Sequence, residues 1–336
     1  MAAPQAAGAQ AGGQNQHTQN QPGDPFRPAT KEKAKARICL GGIAGAGKTM
    51  TMLKIASALV RPGEQIAVVD TEYGSASKYA KDFTFRSLEK RVFDPRDLIK
   101  TVADATRYGY SVLCLDSWSR YWSGKGGMLA LVDQFSRGQF SGWKEATPIQ
   151  HDMMDALLSF PGHLLVTVRS KTEYVVERNA EGKQAPKKIG MKYDQRENLE
   201  YEFDVVGDMQ DATLTVTKTR CPELHEMVVH KPDLDFGYTI RQWLEDGVEP
   251  VATEAYRERA LAEGVTFEEL GALMNEVREL GIQHRPTSDA TYRPMSLEDL
   301  IQNRGREVRA LMQQSGTARA AHAAGVDQRQ EGSAAA

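Results

Sequence analysis

Short, nearly unbroken apolar runs recur along the first half of the chain. Ile38-Cys39-Leu40 runs into a glycine-rich turn, Ile66-Ala67-Val68-Val69 ends at Asp70, Val112-Leu113-Cys114-Leu115 ends at Asp116, and Leu164-Leu165-Val166-Thr167-Val168 is a fourth. Runs of this kind suit parallel strands covered on both faces. Between them the apolar residues take helical spacing: Met50, Leu53, Ile55, Ala56 and Leu59, then the stretches from Asp97 to Tyr108 and from Ile149 to Phe160. The alternation predicts a doubly wound α/β fold with a mostly parallel central sheet.

Past Val168 the texture changes. Tyr174-Val175-Val176 and Pro186-Lys187-Lys188-Ile189, on either side of the turn-like Asn179-Ala180-Glu181-Gly182, predict a hairpin. Phe203-Asp204-Val205-Val206 and Thr213-Leu214-Thr215-Val216-Thr217 predict two further strands, an antiparallel extension of the sheet. From about Val251 the pattern is helical. Thr266 and Glu269 have capping-box spacing ahead of Phe267, Leu270, Leu273, Met274, Val277 and Leu280. Ser296 and Asp299 mark a second start, before Leu297, Leu300, Ile301, Val308 and Leu311. The expected division is a core over 34–246, a linker near Gly247 to Thr253 and a small helical C-terminal domain over 252–314. Residues 1–33 and 315–336 are poor in large apolar side chains, cannot offset their ordering entropy by burial, and are read as disordered tails.

Composition narrows the function classes. The net charge of -3 over 336 residues leaves no global basic field, so any nucleic-acid surface must be local. Cys39, Cys114 and Cys221 are far apart, without metal-ligand spacing, which suits a reducing cytoplasm. The first residues lack the basic and apolar blocks of a secretory leader, and no apolar run is long enough to cross a bilayer. A cytoplasmic protein is expected.

The chemistry is concentrated in Gly42-Ile43-Ala44-Gly45-Ala46-Gly47-Lys48-Thr49, which fits G-x-x-x-x-G-K-[ST] at every fixed position, between an apolar strand and a helix opening with Met50. Glycines let successive N–H groups curl around a phosphate, and the helix N-terminus adds its positive dipole end. Lys48 is expected to reach the β- and γ-phosphates of ATP, and Thr49 to offer its hydroxyl to Mg²⁺. Asp116, ending an apolar strand, has the Walker B position and would share the metal with Thr49. Glu72 is the candidate for orienting the attacking water, with Asp70 as its rival. Lys218 and Arg220 follow the strand from Thr213 to Thr217. They are either solvent-facing or a pair of cations supplied to a neighbouring subunit's phosphates.

Asp70-Thr71-Glu72-Tyr73-Gly74-Ser75-Ala76-Ser77-Lys78-Tyr79-Ala80 is similar to the segment of RecA recombinases that carries their catalytic glutamate, and Leu115-Asp116-Ser117 resembles their Walker B strand end. Thr215-Val216-Thr217-Lys218-Thr219-Arg220 resembles the strand and paired cations that RecA-like and DnaB-like ATPases send into the next subunit's nucleotide. The run Pro186-Lys187-Lys188-Ile189-Gly190, then Gln195-Arg196, Glu200 to Val206 and Lys218-Thr219-Arg220, resembles the small phage ATPases classed with the Sak-type single-strand annealing proteins. The likeness covers about Ala36 to Trp243. It implies a RecA-like P-loop core, assembly into a ring or filament, and ATP- and Mg²⁺-dependent binding and annealing of single-stranded DNA in phage recombination or replication. It also implies company from single-strand-binding protein or other replisome components, in a bacterial host. One departure stands out: RecA proteins place a γ-phosphate-sensing glutamine where this chain has Arg169-Ser170-Lys171.

Single-strand binding needs cations for the backbone and flat side chains for stacking. One segment offers Trp118, Arg120, Tyr121, Trp122, Lys125, Arg137, Trp143 and Lys144; the other, between Lys171 and Arg196, offers Tyr174, Arg178, Lys183, Lys187, Lys188, Lys192 and Tyr193. Arg120, Trp122, Lys183, Lys187, Lys188, Lys192 and Arg196 are the candidate DNA contacts. The same tryptophans also suit a core or a subunit interface, and the lysines a solvated face. A DnaB-like helicase or helicase loader, or a nucleotide-dependent replisome scaffold without DNA contact, would use the same core.

Overall fold

The structure, a computed structural model, describes residues 29–136, 142–178 and 184–313, and of 172–178 and 184–191 the backbone alone. The tails 1–28 and 314–336 therefore lie outside the described residues, as does the expected turn at 179–182.

In chain order the core comprises β1 (Arg37–Gly42), α1 (Lys48–Leu59), β2 (Ile66–Asp70), β3 (Arg86–Glu89), α2 (Pro95–Arg107), β4 (Val112–Asp116), α3 (Ser119–Ser123), α4 (Met128–Ser136), α5 (Gly142–Leu158), β5 (His163–Arg178), β6 (Gln184–Tyr193), β7 (Val205–Gln210), β8 (Thr213–Thr219), β9 (Val228–His230) and α6 (Leu234–Glu245). The sheet runs β3-β2-β4-β5-β1-β7-β8-β9. From β3 to β7 every pairing is parallel, and β8 and β9 add on antiparallel. This is the expected mixed sheet with one correction: β7, expected in the antiparallel extension, runs parallel beside β1, so that the extension begins only at β8. Strand β5 differs from expectation: rather than ending at Val168 it continues to Arg178 and forms the hairpin with β6 by itself. A strand that leaves a covered sheet loses its apolar signal while its backbone continues.

Alternation of side chains explains why the apolar runs are unbroken. Ile38, Leu40, Val68, Cys114, Leu165 and Val205 face one way and pack with Met52, Leu53 and Ile55 of α1 and Ile240 of α6. Cys39, Val69, Leu113, Leu115, Leu164, Val166 and Val206 face the other way, onto α2 and α5 through Leu98, Val102, Met153 and Leu157. Both faces are buried, so both sets must be apolar. Strand β3 escaped sequence reading because its four residues, RSLE, form an exposed edge. Helix α2 begins a little earlier than its apolar spacing, since Asp94 accepts from the Arg96 amide as N-cap and Pro95 fits the first turn.

The helical C-terminal part comprises α7 (Glu254–Leu261), α8 (Phe267–Leu280), the small hairpin β10 (Pro286–Ser288) and β11 (Pro294–Ser296), and α9 over 297–313. Its own core unites Leu270, Leu273, Val277, Leu297, Leu300 and Ile301. The capping box at Thr266 and Glu269 forms, Ser296 caps α9 by accepting from the Asp299 amide at 3.0 Å, and Gly281 ends α8 in the left-handed region. The N-terminal tail does not run to residue 33 as expected. The Lys33 amide donates to the Val248 carbonyl and the Val248 amide to that of Lys31, each at 3.0 Å. Backbone pairing of this kind leaves no trace in composition. No helix among the described residues is long and apolar enough to cross a membrane.

Two polar side chains anchor the amino end of β1. The Arg37 guanidinium donates to the carbonyls of Leu158, Phe160, Ala36 and Gly162, closing the end of α5 onto the sheet. His163 Nδ1 accepts from the Ala36 amide at 3.0 Å. Burial, with Lys35 and Arg37 nearby, lowers the His163 pKa to about 3. The unfolded chain takes this proton near 6.5, so the contribution is complete above that pH and is lost as pH falls toward 3, by up to about 1.4 kcal/mol per pH unit. His163→Gln, whose amide oxygen can accept from Ala36, is expected to flatten the fall in melting temperature between pH 6.5 and 4. A slope equal to the wild type's would contradict this.

Candidate nucleotide site and the adjoining cleft

The glycine-rich turn leaves β1 at its carboxyl end and enters α1. Gly42 and Gly47 have φ of 153° and 96°, and a Cβ on Gly42 would stand 2.5 Å from the Met209 carbonyl oxygen. No larger residue fits there without displacing β7. Lys48, the first residue of α1, folds back so that Nζ donates to the carbonyls of Gly42 at 2.9 Å and Ile43 at 2.8 Å. Burial lowers its pKa, against the pull of Asp116 and Glu72. The loop thus presents an open N–H cradle beside a desolvated ammonium.

Thr49 Oγ1 donates to Asp116 Oδ2 at 2.6 Å, and Thr167 Oγ1 donates to Asp116 Oδ1. Asp116 is 2% exposed, and burial, eased by those two hydroxyls, raises its pKa. Among the described residues no cluster of three or more His, Cys, Asp or Glu side chains could hold a metal alone. A desolvated carboxylate touching a hydroxyl is nonetheless the hard-oxygen pair that Mg²⁺ takes from a protein, the remaining ligands being water and phosphate.

The parallel register sets Asp70 of β2 beside Asp116 of β4. Asp70 is fully buried and accepts from the amides of Glu72 at 2.7 Å and Ala76 at 2.9 Å. Asp70, the rival to Glu72, therefore shapes the turn that presents it. Thr71 ties the turn to β4, its amide donating to the Asp116 carbonyl and its Oγ1 accepting from the Ser117 amide, both at 2.7 Å. The Glu72 carboxylate accepts from Ser117 Oγ at 2.7 Å and from Arg169 Nε at 2.8 Å at one oxygen, and from Arg169 Nη2 at the other. Arg120, a candidate DNA contact, has its Nη2 3.7 Å from the same carboxylate and lies on the nucleotide side. Sequence reading missed Thr167 and Ser117. Thr167 had one signal, a hydroxyl inside an otherwise apolar strand.

Lys218 and Arg220 are not brought to the P-loop of their own chain. Thr219 is opposite Val205, which is opposite Ile38, whereas the P-loop leaves past Gly42, opposite Met209. Four strand residues separate the two ends, about 13 Å along the strand direction. Lys218 Nζ donates to the carbonyls of Glu200, Tyr201 and Phe203, and Arg220 pairs with Asp204 at 2.8 Å.

Of the aromatic segment after β4, Trp118 and Tyr121 are buried at 1% and 0% exposure, Trp118 edge-on to Phe203 and Tyr121 to Phe93. Neither can meet DNA, because their flat faces complete the core. Trp122 instead leans on Trp143, with ring centroids 5.8 Å apart, and borders a cavity of about 800 Å³. Lys171, Lys192, Gln195 and Arg196 also line it. Lys171 pairs with Asp194, Lys192 with Glu197, and Arg196 reaches Gln150 Oε1 at 3.2 Å. Lys183 and Arg137, and the side chains of Lys187 and Lys188, lie outside the described residues.

A P-loop opening a helix, a strand-end aspartate against its threonine, and a fifth strand between the two define a P-loop NTPase core. A family model described as an AAA domain matches residues 34–230, more than half of the chain. The chain belongs to this AAA domain family. Among curated proteins none matches it at a significant level.

Because burial raises the Asp116 pKa, its ionised form costs the nucleotide-free protein stability at pH 8, a cost absent below the ordinary carboxylate range. Asp116→Asn is expected to raise the melting temperature of the nucleotide-free protein at pH 8 by about 2–4 °C, worth ~1 kcal/mol, and to abolish any further rise on adding Mg²⁺ and ATP. A lowered melting temperature would contradict the assignment.

Proposed function

We propose that this chain is a Mg²⁺-dependent ATPase that assembles head to tail and binds single-stranded DNA, with a role like that of the Sak-type annealing proteins of phages. The observation that carries the hydrolytic reading is the convergence of Lys48, Thr49, Asp116 and Glu72 at the carboxyl ends of the parallel strands. There Lys48 exchanges its carbonyl partners for the terminal phosphates of ATP. Thr49 and Asp116 offer oxygens to Mg²⁺, which when bound neutralises charge on the phosphate oxygens. Glu72 orients the water whose oxygen bonds to the γ-phosphorus, while the bond to the bridging oxygen breaks and ADP leaves with that electron pair.

The placement of Lys218 and Arg220 away from their own P-loop supports a role across a subunit boundary. Arg220→Ala removes one ion pair, between an exposed arginine and an Asp204 carboxylate that keeps the Arg37 amide as a donor, and is expected to leave the protein folded while slowing hydrolysis at least tenfold. Mixing it with Glu72→Ala should restore activity, since an Arg220→Ala protomer keeps its own glutamate and receives the cation from its neighbour. No rescue in well-mixed assemblies would refute the trans role.

Trp122 beside Lys171, Lys192 and Arg196 at one cavity supports DNA binding, by stacking and backbone neutralisation together. Affinity for a fluorescent oligothymidine with an ATP analogue is expected to fall steeply and log-linearly with salt. Absence of nucleotide-dependent binding at low salt would favour a scaffold without DNA contact.

A further inference from the structure

We infer that the cleft between α8 and α9 is a docking groove for an acidic peptide segment of another protein, which anchors a large apolar side chain there. The inference goes beyond the ATPase and DNA reading and does not rest on it. Leu270 and Met274 of α8 and Ile301 of α9 line a cavity of about 260 Å³, and Phe267, 43% exposed, stands at its rim. That is below the roughly 300–1,000 Å³ of pockets that enclose a small molecule, and it suits the apolar anchor of a longer chain that continues over the surface.

Two glycines open the groove. Gly271 lies within α8 and Gly305 within α9, and both line the cavity. A glycine inside a helix is destabilising relative to alanine, so its presence calls for a reason. Neither has a positive φ. A Cβ on Gly271 would meet nothing within 4 Å, and one on Gly305 would meet only the Phe267 ring, at 3.6 Å, an ordinary contact. The packing of the chain itself requires neither glycine. What both leave clear is the cavity.

The rim is cationic. Over 252–313 there are eleven carboxylates against eight arginines, so each arginine could be neutralised within this part. Six are paired: Arg257 with Glu254, Arg259 with Glu276, Arg278 with Glu298, Arg285 with Glu32, Arg293 with Asp152 and Arg304 with Glu307. Among the described residues Arg306 and Arg309 alone have no carboxylate partner, and both are exposed at the groove. Arg306 donates to Asn303 Oδ1 at 3.0 Å, and the Arg309 guanidinium lies over the Phe267 ring, 4.4 Å from its centroid. No described carboxylate lines the cavity. An apolar cavity beside two unneutralised guanidinium groups is complementary to a segment that flanks an apolar side chain with aspartate or glutamate. The ends of this chain offer no such segment: residues 1–28 hold one acidic residue and one arginine, and 314–336 hold two of each.

The test selects short random displayed peptides on the full chain and measures the selected ones by fluorescence anisotropy. They are expected to place aspartate or glutamate beside Phe, Leu, Ile or Met, and to bind more weakly as salt rises. Gly271→Leu fills the groove from a position where Cβ meets no atom, and should weaken them at least tenfold; Arg306→Glu should do the same. Gly271→Ala should raise the melting temperature of the full chain. A lowered melting temperature would show that the chain itself needs the glycine and would overturn the inference. So would a selection that yields no binders, binders without acidic residues, or affinity unchanged in Gly271→Leu. Displacement of a selected peptide by oligothymidine would assign the groove to nucleic acid, and a change of oligomeric mass in Gly271→Leu would make it a contact between copies of this chain. Either result overturns the peptide reading.

Discussion

The contact between Thr49 and Asp116 depends on a carboxylate that the fold has taken out of water. Asp116 reaches that position because β4 is buried on both faces and sits two strands from β1, with β5 between them. Thr167 of the intervening strand supplies one hydroxyl and α1 the other, so three elements converge on one side chain. A change in register at β4 or β5 by one residue would send Asp116 or Thr167 to the opposite face. The apolar packing above and below the sheet is thus what gives the polar site its geometry.

The same ends of the strands carry a second, wholly structural set of polar contacts. Asp70, Thr71 and the Ser117 backbone form hydrogen bonds with one another and with the turn leading to Glu72. Buried polar groups of this kind must be satisfied in full to be tolerated. Satisfied in this way they fix where the Glu72 side chain begins. Its orientation is then decided by Ser117 and Arg169.

Much of this was legible in the residue order. Four apolar runs gave β1, β2, β4 and β5, four of the six parallel strands, within a residue or so at their starts, because burial on both faces demands continuous apolarity. Lys48, Thr49 and Asp116 were legible because the P-loop imposes both spacing and strand context. Glu72 was legible through its place past β2. Thr167 and Ser117 were not, since their partners lie 51 and 45 residues away in sequence and hydroxyls carry no spacing rule. The aromatic cluster misled in part: Trp118 and Trp122 have the same composition and neighbourhood, and only packing separates a core ring from a cleft ring. The short edge strand β3 and the pairing of Lys33 with Val248 were invisible because neither depends on side-chain type.

That small pairing has a topological consequence. Lys31 and Lys33 meet Val248 just ahead of β1, at the amino ends of the parallel strands, while the P-loop opens at their carboxyl ends. The polypeptide thus enters and quits its central layer through one gateway, on the side remote from the phosphate cradle. The segment that leads into β1 and the start of the path to the C-terminal helices are moored to each other there, at the rim opposite the glycine-rich turn.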